Sequence, residues 1–377
     1  MAQASTVAGR LPRIVPTGAA LGARVEGLDL RGLDTDAFAV ISQAWLDHQV
    51  LLFRDQSLTD ADLLAFSRRF GDLDEAPIQE SGRRFVEGHP EIYVVSNVVE
   101  HGVPMGSLGA GEAVWHTDMS YLPDPPKASV LYAIEVPAHG GDTSFCSMSA
   151  AWAQLPDRLR QRAAGLRVKH DGTYNSGGYV RQGVTPTGDP RSSPGTLHPL
   201  VSVHAETGRP GLYLGRRRNA YIDGLSLEES ETLLDQIWAE ATRDSLTWTH
   251  RWRVGDLVLW DNRCTMHRRD AFDPATRRVM HRTQIRRSNA PVAEGSSPQA
   301  SEQERAAMHR WLETWRAAGA RMDADRWRRL TTLTDDEAWD ETMGLLSMWE
   351  PSWTGDDGEE LVRHQDLFAR ASRHQAR

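Results

Sequence analysis

A mostly β fold, an antiparallel barrel or sandwich with flanking helices, is predicted from three observations. Short runs rich in β-branched and aromatic residues recur along the chain, few helical stretches separate them, and Gly, Pro and Asp gather at the joints. The first run is "VLLFRDQ" (50–56). Residues 92–98 ("IYVVSNV") and 128–136 ("ASVLYAIEV") read as strands, and "AHGGDTSFCS" as a turn leading into another. "TGRPGLYLG" (207–215) is a turn followed by a strand. "RWRVGDLVLWDNR" divides into two β-like pieces around Gly255-Asp256, and "RRVMHRTQIRR" reads as a final strand. Helical spacing appears in "SLTDADLLAFSRRFG", where Thr59 caps a stripe of Leu63, Leu64, Phe66 and Phe70 and Gly71 marks the stop. It recurs in "LSLEESETLLDQIWAEAT", with Leu233, Leu234 and Ile237 on one side.

At 288–301, "SNAPVAEGSSPQAS", the text shifts to small polar residues, the mark of a linker. We therefore expect a main domain over 1–295 and a helical, tryptophan-rich extension over 296–377. Ser301 with Glu304 and Thr334 with Glu337 have capping-box spacing. Met308, Trp311, Leu312 and Trp315 form a stripe, as do Trp339, Met343 and Leu346. So much aromatic surface is expected to pack on the main domain or on another subunit. A homo-oligomer, a dimer or tetramer, is expected.

Charge narrows the choice of partners. The 377 residues carry a formal net charge of -9, which argues against nucleic acid or an anionic membrane as the main partner. No apolar run approaches the roughly 20 residues of a membrane span, and no signal-peptide pattern opens the chain. Cys146 and Cys264 are the two cysteines, so no disulfide framework is implied. A cytoplasmic setting fits, and both thiols are expected to act as small packed hydrophobes.

The chemistry is sought among 14 histidines, which produce His-x-acid pairs by accident. His204-Ala-Glu206 runs into a turn and reads as an exposed strand end. His364-Gln365-Asp366 falls in a predicted helix, where residues two apart diverge. His116 and Asp118, in "AVWHTDMSY", are different, because strand character places i and i+2 on one face. His267, in "LVLWDNRCTMHRRDAF", is the candidate third ligand. Two His and one carboxylate suit a facial non-haem Fe(II) site, and zinc would accept the same donors and activate a water. In "RRVMHRTQIRR" one strand face carries Arg278 and Arg282. That face is either a solvent-exposed edge or, if buried, a pair of cations requiring anions.

In this order, "WHTDMSYLPDPPKAS", "VPAHGGDTSF", "GDLVLWDNRCTMHR" and "RRVMHR" resemble the taurine dioxygenase / 2,4-dichlorophenoxyacetate dioxygenase (TauD/TfdA-like) family. The likeness also takes in "GARVEGLDL", "HQVLLFRDQSL" and "FSRRFG", and runs from about residue 14 to 288. It implies a double-stranded β-helix, the cupin-like jelly roll, and an enzyme using Fe(II), 2-oxoglutarate and O2. His116, Asp118 and His267 are similar to the family's iron ligands. Thr143 and Arg278 are similar to its partners for the distal 2-oxoglutarate carboxylate, and Arg282 to a position meeting an acidic group on the primary substrate. Trp115 and Trp260 are expected to shield the pocket.

The resemblance implies hydroxylation of an aliphatic C–H with release of succinate and CO2. The presence of Asp118 sets the chain apart from halogenating relatives. Asp74 and Glu75 follow "FG" where the taurine branch has histidines, and Glu112 precedes His116 where it has a neutral amide. Both departures point away from taurine, while Arg282 argues for a carboxylate or sulfonate. "SNV" near Asn97 and "FCSMSAAW" resemble the aryloxyalkanoate side of the family. The expected substrate is accordingly a small organic acid, an aryloxyalkanoate-like carboxylate or sulfonate, with Arg282, Glu112, Asn97 and Tyr121 as candidate contacts. An amino-acid-like or natural-product substrate is the alternative within the family. A zinc hydrolase and a non-catalytic metal or ligand sensor are the alternatives outside it. The Gly-rich segment 170–195 is expected to be a mobile lid that sets specificity.

Overall fold

The computed structural model describes residues 11–79, 82–83 and 85–287. All of them belong to the first of two units into which the chain divides, Met1–Asn289. The predicted boundary at 295, the tryptophan-rich tail and the His364 and Asp366 pair lie outside the described residues.

Two sheets face each other as a jelly roll. The larger, nine-stranded among the described residues, runs in the order Arg13–Pro16, Ala23–Glu26, Val50–Phe53, Leu257–Asp261, Ala128–Glu135, Val279–Ile285, His89–Ser96 and Ser107–Leu108, with Phe85–Val86 beside His89–Ser96. The smaller runs Ala113–His116, Thr265–Arg269, Thr143–Ser147 and Thr247–His250. Strands distant in sequence lie side by side, so segments from residues 89 to 285 reach one interior.

The apolar runs are continuous because the large sheet is buried on both faces. Alternate residues point to opposite faces of a strand. Leu51, Phe53, Val130, Tyr132, Leu257 and Leu259 pack outward with Ile41, Trp45, Leu63 and Phe66. Those partners come from the helices Thr35–His48 and Asp60–Arg68. Val50, Leu52, Leu131, Ala133, Val258 and Trp260 point inward and meet Phe145 of the small sheet. That sheet turns Cys146 and Met266 outward, onto Leu233, Leu234 and Ile237 of the helix Leu227–Ala241.

Helix starts follow the sequence closely. Thr59 and Asp62 form a reciprocal capping box, as do Ser226 and Glu229. Two strand expectations shift. The run at 50–56 pairs only over Val50–Phe53, since Asp55 turns to a left-handed φ of 55°. The first half of "RWRVGDLVLWDNR" is no strand. Its backbone turns at Arg253, whose N–H donates to the Asp256 carboxylate at 2.8 Å, while the paired strand lies earlier, at Thr247–His250.

Candidate active site

The three candidate ligands converge. His116 ends its strand and pairs across the sheet with His267, which sits in the middle of Thr265–Arg269. Directly opposed residues of an antiparallel pair share a face, so both imidazoles enter the barrel, with ring centroids 4.1 Å apart. Asp118 reaches them by another route than the strand period. The strand stops at His116, and Asp118 lies in the turn that follows, ahead of Met119 at φ 50°. Its Oδ1 is 3.7 Å from His116 Nε2 and 3.9 Å from His267 Nε2. All three side chains are buried, and their donor atoms lie within 4.8 Å of one another.

Asn262 holds that turn in place. Its Nδ2 donates to the Asp118 and Pro126 carbonyls, both at 3.2 Å, and its Oδ1 accepts from the Asp118 N–H at 3.3 Å. Ser129 Oγ donates to Asp118 Oδ2 at 2.9 Å, and Arg282 Nη1 donates to Oδ1 at 3.0 Å. Burial alone would raise the Asp118 pKa. The Arg282 guanidinium, foremost among its neighbours, outweighs burial and holds the carboxyl well below the usual range, so it is an ionised donor. His116 Nδ1 lies 2.7 Å from the Val114 carbonyl. A proton on Nδ1 satisfies that contact and leaves the Nε2 lone pair facing Asp118 and His267. Burial, helped by His116, pushes His267 down to about 3, which leaves it a neutral donor. Two neutral imidazoles and one carboxylate are the donor set that a divalent metal requires.

Beyond the ligands lies a pocket bounded by Val95, Leu108, Leu131 and Trp260 and, on its polar side, by Thr143, Ser176, Arg269, Arg278 and Arg282. Arg278 is 2 % exposed, and no described carboxylate lies within 4 Å of its guanidinium. Burial, with Arg269 nearby, lowers its pKa to about 9, which still leaves it a cation at neutral pH. Thr143 Oγ1 accepts from Trp252 Nε1 at 2.9 Å. Indole only donates, so the threonine hydroxyl keeps its own proton for another acceptor. The two glycines of "GGDT" run beside this wall of the pocket. Gly140 has φ +75°, and a Cβ there would stand 2.7 Å from the Ala271 carbonyl. A Cβ on Gly141 would lie 3.5 Å from Arg278 Nε.

Other expected contacts are placed differently. Asn97 holds backbone: its Oδ1 accepts from the Arg278 N–H at 2.9 Å, and its Nδ2 donates to the Thr276 carbonyl at 2.7 Å. Glu112 is exposed, 3.9 Å from Arg268, and does not bound the pocket. Tyr121 lies under Arg181, with the guanidinium carbon 4.2 Å from its ring, and is also absent from the lining. Trp260 lines the pocket with its ring 4.9 Å from His267, whereas Trp115 packs on the outer face of the small sheet. Within 170–195, Ser176 reaches the lining. Asn262, Ser129 and Arg269 were not singled out from the sequence. Only Arg269 left a signal, standing two residues after His267 on the same strand face.

His204 corrects another expectation. It is buried rather than exposed, with Nε2 3.0 Å from Asp261 Oδ2. With Cys264 these residues form another group of potential metal donors. Arg263 already grips that carboxylate, through Nε at 2.8 Å and Nη2 at 2.6 Å. Burial drives the Cys264 thiol well above its ordinary value, so it is no thiolate ligand. The cluster is a buried salt bridge.

Comparison with known proteins agrees with this geometry. Residues 13–284 match the family model described as taurine catabolism dioxygenase TauD, TfdA family. The chain belongs to the TauD/TfdA family. Its reaction class is that of a 2-oxoglutarate-dependent non-haem iron dioxygenase. It is 34% identical to an (S)-phenoxypropionate/alpha-ketoglutarate-dioxygenase of Delftia acidovorans, over 76% of this chain and 98% of that protein. It is likewise 34% identical to a pentalenolactone F synthase of Streptomyces avermitilis, over 70% and 90% respectively. A solved taurine dioxygenase from Burkholderia xenovorans is 33% identical and superposes with a TM-score of 0.60, over 74% of this chain and 90% of that one. Equal identity to relatives with such different names means that likeness alone does not choose the substrate. No helix among the described residues is long and apolar enough to cross a membrane.

Proposed function

We propose that His116, Asp118 and His267 hold Fe(II), that Arg278 and Thr143 take the distal carboxylate of 2-oxoglutarate, and that the chain hydroxylates an aliphatic C–H of a small organic acid. An aryloxyalkanoate-like carboxylate or a sulfonate is the favoured class. The observation that carries this reading is the Arg278 guanidinium, buried at the pocket wall without an acid. A buried unpaired charge is costly, and a fork of N–H donors is shaped for a carboxylate. The threonine hydroxyl beside it supplies a further donor.

When bound, the iron supplies oxygen activation coupled to decarboxylation of 2-oxoglutarate, yielding succinate and CO2. The chain supplies position. Ser129 and Asn262 fix Asp118, the Val114 carbonyl fixes the His116 tautomer, and Val95, Leu108, Leu131 and Trp260 exclude water from the reacting centre. Arg282 spends one N–H on Asp118, and its remaining donors serve the acidic group of the primary substrate.

Anaerobic addition of Fe(II) and 2-oxoglutarate should give a visible charge-transfer band that His267→Ala abolishes. A panel of small carboxylates and sulfonates should then include compounds that stimulate oxygen-dependent succinate release, with the hydroxylated product seen by mass spectrometry. An unchanged spectrum in the wild-type protein would refute the metal and co-substrate assignment. Activity with zinc, without oxygen or 2-oxoglutarate, would favour hydrolysis instead.

A further inference from the structure

Arg269 is a buried cation of the pocket wall to which the proposed function gives no role. It is 6% exposed and lines the same pocket as Arg278 and Thr143. Two residues after His267 on one strand, it projects to the same face, and its cross-strand partner is Thr143. The guanidinium carbons of Arg269 and Arg278 lie 5.4 and 6.0 Å from the centroid of one ring, Phe272. No described carboxylate lies within 4 Å of Arg269, and its Nε is buried without a partner. Its Nη2 donates to two backbone carbonyls, of Leu108 at 3.1 Å and of Gly111. Phe272 N–H adds a bond to Ala110 O at 3.1 Å, so the 108–111 segment is fastened to the strand end that carries Arg269. Leu108, on that segment, is part of the pocket wall.

We propose that Arg269 is a second cation for the distal carboxylate of the keto acid, acting with Arg278 and Thr143, and that it holds the Leu108–Gly111 segment in place as it does so. This rests on the 2-oxoglutarate reading of the pocket. Two guanidiniums sharing one void without an acid repel each other, and the lowered pKa of Arg278 reflects that proximity after the effect of burial. A carboxylate between them removes the repulsion and gives each of its oxygens a cationic donor. The site then discriminates between keto acids by their far end, because an analogue lacking the distal charge leaves both cations buried and unpaired.

The test compares two ligands of equal chain length, 2-oxoglutarate and 2-oxopentanoate, which carries a methyl group in place of the distal carboxylate. Each is titrated calorimetrically into Mn(II)-loaded protein, so that affinity is read without turnover. Arg269→Met is expected to weaken 2-oxoglutarate about tenfold or more, the scale of a lost charge-assisted hydrogen bond. The dissociation constant for 2-oxopentanoate should stay within about twofold on the same reasoning, since that ligand carries nothing for the guanidinium to pair with. Arg269→Gln keeps a neutral donor for the Leu108 and Gly111 carbonyls, and serves if the methionine variant does not fold. It should show the same selective loss. Equal weakening of both ligands would assign Arg269 to the 108–111 segment alone and overturn the proposal, as would unchanged 2-oxoglutarate binding. Wild-type protein that fails to bind 2-oxoglutarate would instead overturn the functional reading, and this proposal with it.

Discussion

Replacing Arg282 by Met tests whether the guanidinium and a metal ion compete for the same carboxylate. Arg282 Nη1 lies 3.0 Å from Asp118 Oδ1, and the two side chains are 8% and 6% exposed. At that distance and an effective dielectric of about 20, the attraction is roughly 5 kcal/mol, and breaking a buried pair costs about 3–5 kcal/mol net. Methionine keeps an apolar stem beside the Tyr93 ring, over which the guanidinium carbon now stands at 4.8 Å. In metal-free protein a loss of about 3 kcal/mol is expected, a fall in Tm of about 6–12 °C for a domain of this order of size. With Mn(II) bound, a divalent cation takes over the role of partner to Asp118, and at least half of the difference should vanish. By linkage the variant should then bind Mn(II) about tenfold more tightly or better, since each 1.4 kcal/mol of recovered stability is a factor of ten. Scanning calorimetry with and without Mn(II) at pH 8, where Asp118 is ionised, reads both quantities. An equal fall in Tm in the two conditions would refute the reasoning.

Asn262→Leu removes three hydrogen bonds around Asp118 and strands their partners in a buried turn. At about 1–3 kcal/mol for each unsatisfied group, before relaxation, it should cost at least 2 kcal/mol and lower Mn(II) affinity, both measurable by calorimetry. Glu112→Gln should leave 2-oxoglutarate turnover within about twofold, as expected of an exposed charge; a tenfold change in succinate release would return Glu112 to the pocket. Both cysteines are buried, and burial pushes Cys146 up to about 12, so native protein should resist a thiol reagent at pH 8 until unfolded. Gly215→Ala places a methyl 2.3 Å from His170 Nδ1 at a φ of +64°, and should be among the most destabilising single-methyl additions, by about 1–3 kcal/mol on thermal unfolding.

What could be read from the sequence follows from the range of the forces involved. Strands and helix starts are local. Thr59 with Asp62, or Val50 alternating with Leu51, state their structure within a few residues, and the sheets confirm it. The candidate metal ligands stand out because their residue types are rare in such company, and the structure brings the three together. Strand periodicity does not bring His116 and Asp118 together; a turn held by Asn262, 144 residues away, does. His204 looked exposed because it ends a strand next to a turn. Its burial depends on Asp261, 57 residues further on. Asn97 stands in a motif that suggests a substrate contact, and the structure shows it holding the backbone of Arg278. Side-chain hydrogen bonds between distant segments leave no local period, so a sequence shows the polar residue but not its partner.

Charge joins these observations to substrate choice. The chain as a whole is acidic, at -9, so long-range steering does not draw anions to it. Inside the pocket the balance reverses: the guanidiniums of Arg269, Arg278 and Arg282 face the single carboxylate of Asp118, an excess of two positive charges before any metal is counted. A divalent ion doubles that excess, and a dianionic keto acid removes only half of the total. A monoanionic primary substrate brings the buried site closer to neutrality than a neutral one can, and in a medium that penalises unpaired charge the difference favours the acid. On this reasoning an esterified analogue of a good substrate should lose binding even where its reacting C–H is unchanged.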